Sequence, residues 1–286
     1  MTTGARYTLH GLKLSYFTGK LEAYFRAKGI PFDYVEMDLA DFRRCARATG
    51  IAQMPQVETP SGGWMTDTTD IIAHFESRTA EPRLKPIQPA AAFISLLLED
   101  LFDEWLWRPA LYYRWAFPED ARLMSSQLAR TMLRDAPGPF FLRRQVILGR
   151  QRRVFLKKDG VTRTTAPQIE DLYLRTLALL EPIFASRPYL FGARPCEADF
   201  GLFGPFFRHF SSDPTPAAIL RERAPHTLAW ISRLWAATPA QLAASPVVTE
   251  APADLDPLLA MACNEHLPYL AANSEAVRAG KNEVRW

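Results

Sequence analysis

The sequence predicts a small α/β domain with a mixed sheet, followed by an all-helical domain. Three observations carry this. Up to residue 81 the segments are short and alternate between strand-like and helix-like patterns. Pro82, Pro86 and Pro89 then put three prolines in eight residues, which forbids a continuous helix and favours an extended linker. Beyond them, apolar residues recur at helical spacing and no convincing strand is seen. The expected organisation is residues 1–81, a linker over 82–89, and a helical domain over 90–286.

Taken in order, Tyr7 to His10 reads as a first strand. Gly19 to Lys28 reads as a helix with Leu21, Tyr24 and Phe25 on one side; Gly29 stops it and Pro31 prevents its resumption. Phe32 to Met37 alternates as a second strand, and Asp41 to Thr49 reads as a short basic helix ending at Gly50. Gln56 to Thr59 and Trp64 to Thr66 flank Pro60-Ser61-Gly62-Gly63, a hairpin turn. Asp67 is placed to cap a helix running to about Arg78, with Asp70 in its first turn. This order builds a parallel pair through a crossover helix and extends it by a hairpin. In the second part, helices are expected over 93–107, 121–134, 167–184, 199–210, 227–236 and 258–270.

Composition narrows the class of function. The 286 residues are 48% hydrophobic, with 34 basic and 31 acidic side chains, a net charge of +3 that gives no general drive toward nucleic acid or an anionic membrane. Cys45, Cys196 and Cys263 are odd in number and far apart, unlike a secreted disulfide framework. The longest apolar stretch, Ala90 to Leu98, is too short to span a bilayer. The start, MTTGARYTLH, lacks the pattern of a signal peptide, so a cytoplasmic location is expected. There is no GxxxxGK[ST] or GxGxxG, and Cys263 and His266 have no further ligands nearby in sequence, so neither a nucleotide cofactor nor a metal is expected. The histidines are scattered and support no Ser-His-Asp arrangement.

Three short motifs in the first part carry chemistry: Ser15-Tyr16-Phe17-Thr18-Gly19-Lys20, Gln53-Met54-Pro55-Gln56-Val57, and Asp67-Thr68. Each alone reads as an ordinary loop or cap. In this order and spacing the set resembles the cytosolic glutathione transferases, by motif over the first 80 residues and by helical layout over the rest. The resemblance implies a thioredoxin-like first domain, glutathione as co-substrate, a homodimer, and transfer of the glutathione thiol to a hydrophobic electrophile, as in detoxification. A free thiol has a pKa near ~8.5, so a hydroxyl donor at a positive helix end is needed to hold the thiolate. Ser15 matches the Ser or Cys of the family's loop, with Phe17 and Lys20 in register. Tyr16 stands where the family usually has proline, and tyrosine-using members make it the second candidate. Thr18 is a third. The loop has no cysteine, which argues against disulfide exchange by an enzyme thiol.

By the same resemblance, Met54-Pro55 matches the family's cis-proline, with the Met54 backbone turned to the ligand and Gln53 on its glycyl side. Asp67 and Thr68 match the pair that receives the γ-glutamyl end, which carries both an ammonium and a carboxylate. Arg43 and Arg44 could reach the glycyl carboxylate, although a solvated basic face is the commoner meaning. In the second part, Cys196 to Asp199 resembles the family's capping box with the hydroxyl replaced by a thiol, so only Asp199 is retained and Cys196 is expected to be structural. The aromatic-rich stretch from Trp105 to Trp115 would face the electrophile, with Tyr112 and Trp115 as the named pocket residues. The basic segment 143–158, with interleaved apolar residues, reads as an amphipathic helix or hairpin. It keeps open an alternative: a non-catalytic scaffold or interaction protein of the same fold.

Overall fold

The computed structural model describes residues 6–281, so the first and last five residues of the two expected domains lie outside the described residues. The first part holds β1 (Tyr7–Gly11), α1 (Tyr16–Lys28), β2 (Phe32–Glu36), α2 (Leu39–Thr49), β3 (Gln56–Glu58), β4 (Trp64–Met65) and α3 (Thr68–Arg78). The sheet runs β2-β1-β3-β4; β1 and β2 are parallel, and β3 pairs antiparallel with both β1 and β4. This is a thioredoxin-like sheet. Helix α1 begins three residues before the expected Gly19 because Ser15 caps it, its side chain accepting from the Thr18 N–H. Gly19 then lies in the first turn, where an added Cβ would meet Arg208 at 2.5 Å.

The second part is helical throughout: α4 (Pro89–Asp100), α5 (Trp107–Ala116), α6 (Pro118–Thr131), α7 (Phe140–Arg150), α8 (Ala166–Ser186), α9 (Glu197–Pro205), α10 (Pro214–Arg223), α11 (Pro225–Ala236), α12 (Pro239–Ala244), α13 (Asp256–Met261) and α14 (Leu267–Arg278). Wide π-type turns continue α4 over Leu101–Trp105, α7 over Gln151–Leu156 and α9 over Phe206–Phe210. Three helices were not expected: α5, α10 and the short α12. Pro109 sits in the first turn of α5, while Pro214 and Pro216 sit in that of α10; prolines there are compatible with a helix yet look like breakers in sequence.

Between the two parts, the proline-rich strap is packed rather than loose. Leu84 is buried, and Lys28 Nζ donates to the Pro82 carbonyl at 2.8 Å. The buried Arg194 donates to the carbonyls of Arg83 and Ala243. Helix α9 lies at the centre of the molecule and is buried along its length. Glycines permit its close approach: a Cβ at Gly201 would meet the Glu99 backbone at 2.9 Å, and one at Gly204 the Tyr16 ring at 3.0 Å. Contrary to the expectation that only Asp199 is retained, both halves of the α9 capping box are present: the Cys196 side chain faces the Asp199 N–H, and the Asp199 carboxylate accepts from the Cys196 N–H at 3.1 Å; Cys196 is fully buried. No helix among the described residues is long and apolar enough to cross a membrane.

Candidate active site

A cleft of about 930 Å³ lies where the α1, α2 and α3 ends of the sheet domain meet α4 to α7. Its size suits a tripeptide together with a second small molecule. Ser15, Tyr16, Gln53, Met54, Pro55, Asp67 and Thr68 all line it, so three loops separated in sequence converge on one space.

Ser15 is half-buried, at the N-cap of α1. Its Oγ accepts from the Thr18 N–H at 3.4 Å, so its own hydrogen remains for donation into the cleft. No acidic residue occupies the first turn of α1, which leaves the positive helix end uncompensated. The loop before Ser15 is held from the second part: Arg114 Nη1 donates to the Leu14 carbonyl at 2.7 Å. Arg114 is itself oriented by a buried two-pronged pair with Asp213, at 2.7 and 2.9 Å. Arg114 also lines the cleft and adds positive charge near Ser15. Sequence reasoning missed it, because nothing local relates two residues 100 positions apart.

Tyr16 is placed differently from the expectation. Its ring lines the cleft, but its hydroxyl donates to the Phe102 carbonyl and is buried. Burial, then the nearby Asp103, Glu104 and Glu99 carboxylates, push this phenol well above its ordinary value. Its hydrogen is thus committed to a carbonyl and withdrawn from a thiol. Thr18 is also buried, packed on Gly11, and is not among the lining residues.

Across the cleft, the Met54–Pro55 bond is cis. The β1–β3 ladder ends at His10↔Gln56, so Met54 lies beyond the paired residues, on an edge that an extended ligand could join. The Gln56 amide fixes this loop by donating to the carbonyls of Ile51 and Gln53 at 2.7 and 3.0 Å. Asp67 is the one non-glycine with positive φ among the described residues, at φ 66 and ψ 118. Strain of this kind persists where the surroundings over-determine it, often at a ligand site. Its carboxylate accepts from the Thr69 N–H at 2.9 Å and caps α3. Arg43 and Arg44 do not line the cleft.

The two ends of the cleft differ in chemistry. Near α3 it is acidic, with Asp67, Asp70, Glu99, Asp100, Asp103 and Glu104. Beneath them Lys20, fully buried, is paired with both Glu99 and Asp103. Although burial opposes it, the two carboxylates hold this ammonium above its ordinary value, so it stays charged. Burial pushes the Asp103 carboxyl up, against the pull of Lys20. The other end is apolar, walled by Phe42, Leu111, Trp115, Met132 and Ile147.

The aromatic residue that α5 presents between these ends is Trp107, not Tyr112. Its ring packs on Phe17 at 6.0 Å and Tyr16 at 5.7 Å, and its indole N–H donates to Asp159 at 3.0 Å. Tyr112 is absent from the wall; it donates to Glu170 and packs against Tyr113 and Phe117. The lining positions 107, 111, 114 and 115 share one helix face, and 112 falls outside it. Trp115 is in the wall as expected, though nearly buried. His209 also lines the cleft; burial and then Arg114 keep it well below the ordinary imidazole range, and its Nδ1–H donates to the Ala110 carbonyl at 3.1 Å.

The basic segment forms a helix and supplies the remaining wall through Val146, Ile147, Arg150, Gln151 and Phe155. Several of its arginines staple it to the neighbouring helices. Arg143 donates to the carbonyls of Leu133 and Arg134, both at 2.7 Å, and Arg152 to that of Trp115 at 3.1 Å.

Residues 9–83 match the family described as Glutathione S-transferase, N-terminal domain. No curated protein matches the chain by sequence. Among solved structures the chain is similar to the beta-etherase LigF from Sphingobium sp. strain SYK-6, with a TM-score of 0.56 and 18% identity over 80% of this chain and 95% of that one. It is similar to a GST-like protein from Pseudomonas syringae, with a TM-score of 0.53 and 18% identity over 82% of this chain and 68% of that one. A third is a glutathione S-transferase from Methylobacterium radiotolerans in complex with glutathione sulfonate, with a TM-score of 0.50 and 21% identity over 86% and 96%. At such identities the structural likeness shows a shared fold. Together with the match over the residues that carry the three loops, it shows a glutathione S-transferase N-terminal domain over residues 9–83 within a glutathione transferase-like fold, with no class assigned.

Proposed function

We propose that the protein binds glutathione in this cleft, activates it as the thiolate at Ser15, and directs it at a hydrophobic electrophile. The observation that carries the reading is the placement of Ser15: a hydroxyl with its hydrogen free, at an uncompensated helix N-terminus, in a cleft shared with the cis-proline loop and the Asp67 cap. Support also comes from the similar transferase solved with glutathione sulfonate.

In this arrangement the γ-glutamyl end lies at Asp67 and Thr68, where the α3 N-terminus takes its carboxylate and the acidic wall its ammonium. The cysteinyl backbone pairs with Met54, and Gln53 flanks the glycyl end. The sulfur then lies by Ser15. The thiol proton leaves to water, and the Ser15 hydroxyl with the helix end stabilises the remaining charge. The thiolate forms its new bond to an electrophilic carbon held against Phe17, Trp107 and Phe155, and the electron pair displaced there stays with the electrophile or departs with its leaving group. Catalysis rests on proximity and thiolate stabilisation. The resemblance to the family also implies a homodimer, and Ile87, Phe93 and Leu96, exposed on and just before α4, offer it an apolar surface.

Calorimetry with glutathione at neutral pH tests the binding step. Clear binding that Asp67→Ala weakens is expected, followed by turnover of a panel that includes an aryl ether and a general aryl electrophile. No detectable binding at millimolar glutathione would overturn the reading.

A further inference from the structure

Between β1 and α2, at positions that do not line the cleft, three metal-ligating side chains converge. His10 projects from the central strand, while Asp41 and Cys45 lie one turn apart on α2. One donor atom of each lies within 4.8 Å of the other two. His10 and Cys45 are buried and Asp41 is half-buried, so this is a built pocket and not a surface coincidence. We propose that His10, Asp41 and Cys45 form a binding site for a zinc-class divalent ion, independent of the glutathione reading.

Geometry and chemistry both favour such an ion. For three donors so spaced, some point lies within about 2.8 Å of all of them, so shifts of under ~1 Å bring all three to zinc bond lengths. One imidazole, one thiolate and one carboxylate form a donor set of borderline softness, suited to zinc and poorly suited to calcium or magnesium. His10 Nδ1 is the nitrogen facing Asp41, at 2.8 Å. Ligation through it moves the ring hydrogen to Nε2, where the Glu58 carboxylate lies 3.7 Å away as an orienting acceptor. The Cys45 thiol proton is released to solvent on binding.

The cluster already attracts a cation. Arg44 reaches across it, contacting Asp41 at 3.1 Å, Glu58 at 3.3 Å and His10 Nε2 at 3.2 Å. Its side chain is 48% exposed and stands 5.2 Å from the Trp64 ring, so it can swing into solvent without leaving a buried charge behind. Arg44 and the metal ion therefore compete for one acidic seat.

Titration of metal-free, full-length protein with cobalt(II) tests the site. The expected result is a thiolate-to-cobalt charge-transfer band in the near ultraviolet that saturates at one equivalent and is removed by one equivalent of zinc. Cys45→Ser abolishes the band, whereas Cys263→Ser, which removes an exposed thiol, keeps it. Arg44→Gln, a surface change that leaves the fold intact, tightens binding by about tenfold because a competing charge is gone. The proposal is overturned by the absence of a band at roughly a hundredfold excess of cobalt. It is equally overturned by a band that follows Cys263, or by an unchanged or weaker affinity in Arg44→Gln.

Discussion

At Ser15 one hydroxyl both accepts the cap hydrogen bond of α1 and keeps its own hydrogen for the cleft. Ser15→Ala is expected to lower turnover by about a hundredfold and to raise the pH at which bound glutathione ionises, read as thiolate absorbance against pH. Tyr16→Phe behaves oppositely. It leaves that ionisation in place and lowers stability by about 1–3 kcal/mol, since the buried Phe102 carbonyl loses its donor. Asp67→Asn preserves the bond to the Thr69 N–H and a side chain tolerant of positive φ, but removes the charge. Stability within about 0.5 kcal/mol of wild type and a severalfold weaker glutathione KM are expected. An equal loss in both would assign Asp67 to folding alone. That Ser15, Met54, Pro55 and Asp67 share one cleft was foreshadowed by the family resemblance of their motifs, each of which sits at a local backbone feature, a helix cap or a cis bond. The fates of the Tyr16 and Tyr112 hydroxyls were not legible in sequence, because a phenol's partner is chosen by whatever packs against it.

Among the elements, α2 carries a cap whose energetics depend on pH. Asp38 accepts from the Asp41 N–H at 2.8 Å and pairs with Arg134 beyond the end of α6. The backbone bond, then Arg134, hold its carboxyl below the ordinary value. A depressed folded-state pKa means that the stabilisation is present above the unfolded value, near ~3.9, and fades as pH falls through the folded one. Asp38→Ala is therefore expected to lower stability by about 1 kcal/mol at pH 7 and by much less at pH 3, measured by urea unfolding at both. Helices α3 and α8 were readable from caps and apolar period. Helices α5 and α10 were not, since a proline in a first turn and a proline that ends a helix look alike until the preceding backbone is known.

Across the whole molecule, the two parts are joined by buried charge. Lys20 of α1 meets Glu99 and Asp103, which flank the junction of α4 with its wide turn, and this pairing sits directly under the acidic end of the cleft. Lys20→Met strands two buried carboxylates and is expected to lower stability by about 3–5 kcal/mol, with partial recovery when Glu99→Gln and Asp103→Asn are added. Recovery would be read in denaturant midpoints, and its absence would place the loss in packing instead. The exposed Phe93 makes the proposed homodimer testable at this scale. Phe93→Asp should shift the sedimentation of a dimer to that of a monomer without unfolding the chain.

By itself the sequence determined the order of strands and helices in the first part and the helical character of the second. Both depend on periodicity, capping and turn chemistry within a few residues. Tertiary structure alone decided which aromatic of α5 faces the cleft, that Arg114 grips the loop before Ser15, and that Lys20 is buried between two carboxylates. It also made the basic segment a cleft wall and brought His10 to Asp41 and Cys45. These depend on which helix faces meet and on the close approach that Gly201 and Gly204 allow, and such contacts between distant residues leave no local pattern in the chain.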